Sequence, residues 1–204
     1  MAAGKVTTGF SKPYVAKYSA ASGKITYSDG RVLARGVSVS IEPETSDSNT
    51  FYADNQAAET DAGTFTGGTA TLTVDGLLTD AEQFIMGLPE AESDGWMSYS
   101  DKQDIPYVGI GYITRYVSDG KTTYVPTIIV KAKFQQKGDS ANTQEDSIDW
   151  QTQELTANIL RGDDTDHSWK YLGKDYDTEA EAETALKTKL NITASASTSG
   201  ASGS

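Results

Sequence analysis

Cysteine is absent from this chain of 204 residues, which excludes disulfide bonds, cysteine–zinc sites and thiol catalysis. Histidine occurs once, at position 167. No apolar run approaches the roughly 20 residues that a membrane-spanning helix needs. The first ten residues, MAAGKVTTGF, lack the apolar segment of a secretory signal. We therefore expect neither a membrane span nor a signal peptide.

Basic residues are also scarce. The chain has 17 Lys and Arg against 29 Asp and Glu, which gives a net charge of −12. This balance argues against a protein that binds nucleic acid tightly through its phosphates. It is compatible with a protein surface that must not bind DNA.

The length predicts one domain with a sizeable core. We assign this domain to residues 1–192, of which residues 1–13 are small and polar and predict a mobile N-terminal arm. Residues 193–204 (TASASTSGASGS) are of low complexity and predict a disordered tail or linker.

The stretch from Tyr107 to Phe134 is the longest β-prone run, and Ser118-Asp119-Gly120 interrupts it, which predicts a β-hairpin. Apolar side chains fall on even-numbered positions in both arms. If these side chains share one core face, even-numbered residues of one arm must lie opposite even-numbered residues of the other. A three-residue loop with a bulge and a left-handed Gly120 meets this requirement, whereas a two-residue Asp119-Gly120 turn does not. The glycines at 109 and 111 predict a close approach of the backbone or strong curvature.

Other segments alternate in the manner of strands. Residues 69–75 place Ala70, Leu72 and Val74 on one face and threonines on the other, which predicts one buried and one wet face. Further strands are predicted at residues 14–18, 25–27, 33–41 and 51–53, with the same bulged turn at residues 28–30. Residues 147–160 predict a long strand whose apolar phase slips once, so we expect a bulge between Gln151 and Glu154.

Two capping boxes predict helices. Thr79 with Glu82 opens the first, which Gly87 is expected to end, and Thr178 with Glu181 opens the second. The fold class predicted from the residues is mainly β with one or two helices (α+β). Long polar connectors are predicted at residues 54–64, 90–104 and 137–146.

Signals for catalysis or ligand binding are weak. His167 beside Asp166 is compatible with half of an acid–base pair, but an exposed turn residue is favoured. The acids at 163, 164 and 166 do not match an EF-hand loop, so solvated turn acids are favoured over a cation site. The three tryptophans, at 96, 150 and 169, suggest either a sugar site or core and interface positions. We therefore expect a structural or binding protein without a cofactor or metal, and not an enzyme.

An ordered set of segments resembles the major tail proteins, or tail tube proteins, of long non-contractile-tailed bacteriophages. No single motif is specific, but the set runs in order over about residues 12–192. It comprises KPYVAK at 12–17, GVSVSIEPE at 36–44, FYADN at 51–55, AET at 58–60, TLTVDGL at 71–77, PYVG at 106–109, KGDS at 137–140, DSIDWQT at 146–152, LTANI at 155–159 and the terminal helix.

The resemblance implies a β-sandwich or half-barrel of the tail-tube type with a flanking helix. Copies would form sixfold rings whose strands join into one inner barrel, and the rings would stack into a tube. The partners implied are other copies of the chain, a tape-measure protein in the lumen, and tail-tip and terminator proteins at the ends. DNA would pass through without specific binding, and the protein would be made in the host cytoplasm and reside in the virion.

Two groups of residues are candidates for these contacts. We expect at least one of three wet strand faces to line the lumen: Ser38, Ser40 and Glu42; Thr71, Thr73 and Asp75; or Glu154, Thr156 and Asn158. Candidates for loop contacts between subunits are Tyr52, Asp54, Asn55, Glu59, Trp96, Tyr99, Lys137 and Asp139. The alternative function is a β-sandwich module that binds carbohydrate or a cell surface.

Overall fold

The structure is a computed structural model that describes residues 4–90, 92–101, 103–139, 141–143 and 150–192. It is mainly β with two helices, which confirms the predicted fold class. The strands are β1 (Val6–Ala21), β2 (Lys24–Val32), β3 (Gly36–Thr45), β4 (Asn49–Ala53), β5 (Gln56–Asp61), β6 (Phe65–Val74), β7 (Val108–Ser118), β8 (Lys121–Phe134), β9 (Gln153–Leu160) and β10 (Lys170–Leu172). The helices are α1 (Thr79–Met86) and α2 (Glu179–Lys189).

An antiparallel sheet forms the body of the protein. Its strand order is β2-β1-β7-β8-β9-β6-β3, and β10 pairs with β8 beside this path. The long strand β8 pairs with β7 along most of its length and with β9 only at its last residues. Within the described residues the sheet is open, with β2 and β3 as its terminal strands, and β4 and β5 form a separate hairpin.

Apolar side chains cover both faces of the middle of this sheet. On one face a cluster that includes Leu72, Ile85 and Leu155 joins β6 and β9 to α1. On the other face Ile113 and Ile128 pack in a second cluster beneath α2. Because both faces are covered, β7 and β8 contain continuous runs of buried residues instead of an alternating pattern.

β7 and β8 form the predicted hairpin, but the prediction of a three-residue turn is wrong. Ser118 pairs with Lys121, so the turn holds only Asp119 and Gly120, with φ of 49° and 76°. Both residues are left-handed, as a two-residue turn that follows the twist of the strands requires. The prediction assumed one core face, whereas residues of both parities are buried in these strands.

The prediction of the same turn at residues 28–30 is also wrong. The turn between β1 and β2 lies at Ser22 and Gly23, and residues 28–30 lie inside β2. There the register with β1 shifts, and Asp29 rather than Gly30 has a positive φ, of 52°. Glycine is required at position 30 for a steric reason, because a Cβ there would collide with the side chain of Ile192.

Two predicted boundaries differ from the structure. Residues 6–13 belong to β1 and lie along β7, instead of forming part of a mobile arm. β9 begins at Gln153, and residues 150–152 are not in a strand, so the slip in apolar phase marks the start of the strand rather than a bulge. Residues 147–149 and the tail predicted at 193–204 lie outside the described residues.

The two helices differ in how they begin. The N-cap of α1 is Leu78, which makes no side-chain capping bond, so the predicted capping role of Thr79 is wrong. Gly87 ends α1 with φ of 60°, as predicted. The N-cap predicted at Thr178 is confirmed, because the backbone N–H of Glu181 donates to Oγ1 of Thr178 at 3.3 Å.

Helix α2 lies close against β7. A Cβ at Gly111 would lie 2.6 Å from Leu190 and 2.8 Å from Leu186, and a Cβ at Gly109 would collide with Tyr27. The close backbone approach predicted at these two glycines is therefore confirmed. It lets α2 cover one face of β1, β7 and β8.

Glu183 connects α2 to β1. Its carboxylate accepts a hydrogen bond from the Tyr14 hydroxyl at 2.5 Å, and it pairs with Lys187 at 2.7 Å and Lys12 at 3.3 Å. Partial burial raises the pKa of Glu183, but the hydrogen bonds from Lys187, Tyr14 and Lys12 outweigh it and lower this pKa to about 2. The folded state therefore favours the ionised carboxylate.

Replacement of Gly120 by Val should lower the free energy of unfolding by roughly 1 kcal/mol or more, because a β-branched residue fits a positive φ poorly. Gly138→Val is a matched control, since a Cβ there meets open space and the φ of Gly138 is not positive. Chemical denaturation of both variants gives the comparison. Equal losses in the two variants would contradict the turn geometry.

Replacement of Glu183 by Gln should destabilise the protein at pH 7 by about 1 kcal/mol or more, because charge-assisted hydrogen bonds are lost. A depressed carboxyl pKa stabilises the folded state above the unfolded-state value of 4.5, and this contribution disappears as the pH falls toward 2. Urea denaturation between pH 7 and 2 should show the difference from the native chain shrinking over that interval. Glu181→Gln, at an exposed position of the same helix, serves as the control.

Candidate functional site

The three strand faces predicted as lumen candidates lie on neighbouring strands, because β6 is flanked by β3 and β9. Their register aligns the polar residues in rows across the three strands. The rows are Ser38–Thr73–Glu154, Ser40–Thr71–Thr156 and Glu42–Thr69–Asn158, and Asp75 follows directly after β6. Three sets of residues predicted separately thus form one continuous surface, which we call the polar face.

The other face of the same strands is core. Ala70, Leu72 and Val74 have no exposed surface, while the threonines between them are half-buried. This confirms the prediction of one buried and one wet face for β6. Burial of the odd residues of β9 and the even residues of β6 fixes the register, because a slip of one residue would turn the polar side chains into the core.

Short neutral side chains make up most of the polar face. Serines on β3 lie opposite threonines on β6, and Oγ of Ser38 donates to Oγ1 of Thr73 at 2.9 Å. Hydroxyl groups of this kind both donate and accept hydrogen bonds, so they hold a layer of water.

The charge of the polar face is negative. Glu42, Glu44 and Glu154 are exposed, and none of them has a salt-bridge partner among the described residues. Asp75 pairs with Nε of Arg35 at 2.5 Å. Desolvation raises the pKa of Asp75, but hydrogen bonds and charge from Arg35 outweigh it and lower this pKa. Arg35 is thus paired with Asp75, although its side chain is 92% exposed.

Two lysines border the polar face at the end of β8. Lys133 lies opposite Asn158, and Lys131 lies opposite Leu160. Lys131 pairs with Asp163 at 2.7 Å, and the Nζ of Lys133 lies 5.2 Å from the centre of the Tyr107 ring. Lys131 is thus paired, whereas Lys133 has no salt-bridge partner among the described residues and leaves one cation at the margin of the surface.

β3 is an open edge of the sheet, and its first residue, Gly36, lies against the ring of Phe10 from β1. Its pairing partner is β6 on one side, and in the described part of the chain no strand pairs with its other side. An open edge presents unpaired N–H and C=O groups, which makes it a template for another strand. The polar face therefore ends at a backbone edge that can be extended.

Residues 54–61 of the predicted long loop form a hairpin with the strand before them. Asp54 and Asn55 make its two-residue turn, with φ of 51° and 63°, between β4 and β5. Tyr52 is 65% exposed, and Glu59 on β5 is exposed as well. This hairpin was not predicted from the sequence. Because neither of its faces is buried, its residues show no apolar alternation.

The second group of loop candidates converges on Glu82 of α1. The Tyr99 hydroxyl donates to Glu82 at 2.7 Å, and Nζ of Lys137 lies 2.6 Å from Glu82 and 2.9 Å from Asp139. Burial, followed by the hydrogen bond to Glu82, raises the pKa of Tyr99 to about 12. Lys137 is thus fixed by its two salt bridges, whereas the side chain of Trp96 is 74% exposed.

The residues considered for catalysis or metal binding lie in the segment between β9 and β10. His167 is exposed in a turn, and Asp164 accepts hydrogen bonds from the backbone N–H and the hydroxyl of Ser168. No group of three or more His, Cys, Asp or Glu that could hold a metal ion occurs within the described residues. Neither helix of this part of the chain is long and apolar enough to cross a membrane.

The tryptophans do not share one environment. Trp96 and Trp150 are 74% and 86% exposed, whereas Trp169 stacks on Phe65 with ring centres 4.6 Å apart. Trp169 is thus packed against the core. A sugar platform made of all three rings is not formed.

The sequence matches no known protein family, and it matches no curated protein significantly.

Several residues of these surfaces were not predicted. Glu44 extends the even-numbered polar positions of β3, and its parity with Glu42 was a usable signal. Phe51 was assigned to a strand, but its exposure of 64% has no signal in the sequence. Glu82 was assigned to a capping box, and its role in binding Tyr99 and Lys137 depends on contacts between distant segments.

Replacement of Thr71 by Val should change the free energy of unfolding by no more than about 0.5 kcal/mol, because Thr71 lies on the polar face. Leu72→Ala, one residue further, should cost about 2–5 kcal/mol because it opens a cavity in the core. Denaturation of both variants measures the difference. Similar losses would show that the two faces of β6 are not distinct in the folded monomer.

Proposed function

We propose that the protein is a structural virion protein that polymerises into stacked sixfold rings and forms a phage tail tube, the conduit for DNA ejection. The observation that carries this proposal is the polar face. Nine candidate side chains from three strands form one surface of short hydroxyl groups and carboxylates, backed by core and ending at the open edge of β3.

The chemistry of the polar face suits the wall of a channel for DNA. DNA carries a dense negative charge, and each cationic contact with a phosphate adds affinity by releasing counterions. A basic wall would repeat this attraction at every ring and hold the DNA. Glu42, Glu44 and Glu154 repel phosphates instead, and the hydroxyl groups keep a water layer between wall and DNA.

The open edges of the sheet supply a means of joining subunits. Monomeric proteins protect such edges, because an exposed strand pairs readily with another chain. In the proposed ring, the edge at β3 is covered by the sheet of the neighbouring subunit, so the sheets continue around the lumen. The polar faces of all copies then form a single inner wall.

Contacts between rings are assigned to the β4–β5 hairpin and to the segments around Trp96 and Asp139. The hairpin exposes Tyr52, Asp54, Asn55 and Glu59, which were the first group of loop candidates. Tyr99 and Lys137, which bind Glu82, position the second group rather than contact a neighbour.

The proposed partners follow from this assembly. Other copies of the chain form the rings, a tape-measure protein fills the lumen before DNA, and tail-tip and terminator proteins close the ends. The mature location is the virion, after synthesis in the host cytoplasm.

Electron microscopy of the concentrated protein tests the proposal. Rings or tubes with a central channel are expected. A dispersed monomer at all concentrations, together with binding on a glycan array, would instead support the alternative of a carbohydrate-binding module, for which exposed Trp96 and Trp150 are the available rings.

Reversal of the charge of Glu42 or Glu154 to Lys should leave tubes intact but slow DNA release from particles. The effect should be largest at low salt, where screening of the lysine–phosphate attraction is weakest. Glu181→Lys, an exposed site outside the polar face, is the matched control. Unchanged release from the Glu42 and Glu154 variants at low salt would contradict the assignment of the polar face to the lumen.

A further inference from the structure

The β4–β5 hairpin is poorly supported by its own subunit. It forms a two-stranded sheet of its own, and all six residues of β5 are exposed. Phe51 and Tyr52 on β4 are 64% and 65% exposed. A two-stranded hairpin is at best marginally stable in water unless it packs against something else. We therefore expect its exposed aromatic rings to pack against a second surface.

The charge of the hairpin restricts what that surface can be. Residues 49–61 contain three Asp and Glu and no Lys or Arg. The register places Phe51 opposite Glu59, and Asp61 lies opposite Asn49 on the same face. The hairpin thus presents an aromatic ring among carboxylates, and its complement is an apolar surface with cations.

A groove with these properties lies between α2 and the β8–β10 region of the same chain. It has a volume of about 330 Å³. Its apolar lining includes Pro126, Ile128, Tyr171, Leu172, Tyr176 and Ala185. Leu172 is 67% exposed at the mouth of the groove, opposite the buried Thr127 of β8.

Two lysines flank the groove. The Nζ of Lys189 lies 4.8 Å from the centre of the Tyr171 ring, and the Nζ of Lys174 lies 5.1 Å from that of Tyr176. Neither lysine forms a salt bridge with any described residue. The first turn of α2 carries Glu179 and Glu181, so an acidic ligand is favoured toward Lys189, at the other end of the helix.

We propose that the β4–β5 hairpin of one copy docks into the α2–β10 groove of a second copy. Phe51 or Tyr52 fills the apolar groove, and Glu59 pairs with Lys189 or Lys174. The inference rests on the proposed function, because docking of this kind links successive subunits of a tube, and it names the surface that receives the hairpin. Partly buried pairs of this kind also fix the orientation of the two copies.

Engineered cysteines test the docking directly, because the native chain has none. The variants Ala57→Cys, in the hairpin, and Ala185→Cys, in the groove, are mixed at concentrations that allow association and then oxidised. A disulfide-linked dimer of the two variants is expected on non-reducing gels. Ser28→Cys, at an exposed site on β2, replaces Ala185→Cys in the control mixture, which should give no such dimer.

A charge exchange provides an independent readout. Lys174→Glu combined with Lys189→Glu should raise the concentration needed for association at least about tenfold, because like charges then face each other. Glu59→Lys added to the partner should restore part of the loss. Lys17→Glu, an exposed lysine outside the groove, should leave association unchanged.

The outcomes separate the two proposals. Tubes without the cross-link, from groove variants that assemble like the native chain, would overturn the docking and leave the tail tube standing. The cross-link without rings or tubes in micrographs would support the docking and contradict the tail tube. Absence of both would overturn both.

Discussion

The rest of the structure depends on which parts of the two faces of the sheet are covered by other elements. One side of the sheet is closed by α1 and by the apolar residues of β3, β6 and β9. The other side is covered by α2 only over β1, β7 and β8. Over β3, β6 and β9 that side has no covering element within the described residues, so its side chains must be compatible with water.

This division explains the two kinds of strand in the protein. β7 and β8 are buried on both faces along much of their length and are rich in Ile and Val, and Gly111 of β7 gives α2 room to approach. Residues 68–74 of β6 alternate strictly between buried residues and threonines because only one face of the strand is covered. The polar face is thus a consequence of which strands α2 covers.

Local signals were sufficient for much of this architecture. The wet face of β6, the left-handed Gly120 and the Thr178 cap depend on residues close in sequence, and all three were predicted. The length of the turn at 118–121 was not predicted correctly, because it depends on burial of both faces of β7 and β8. That burial is produced by α2, which lies about 60 residues further along the chain.

The candidate surfaces show the same limit. The three polar sets were each visible in the sequence, but their alignment in rows required the strand order β3-β6-β9. The β4–β5 hairpin had no periodic signal because neither of its faces is buried. The roles of Glu82 and of the α2–β10 groove arise from segments that are far apart in sequence, so only the folded chain brings them together.

A structure of the assembled protein by electron cryomicroscopy tests the central claim most directly. The account predicts a tube whose inner wall is formed by the polar face, with Ser40, Thr71 and Thr156 toward the lumen and acids outnumbering Lys and Arg on that wall. A tube in which the polar face points outward, or in which Lys and Arg outnumber acids on the inner wall, would contradict it.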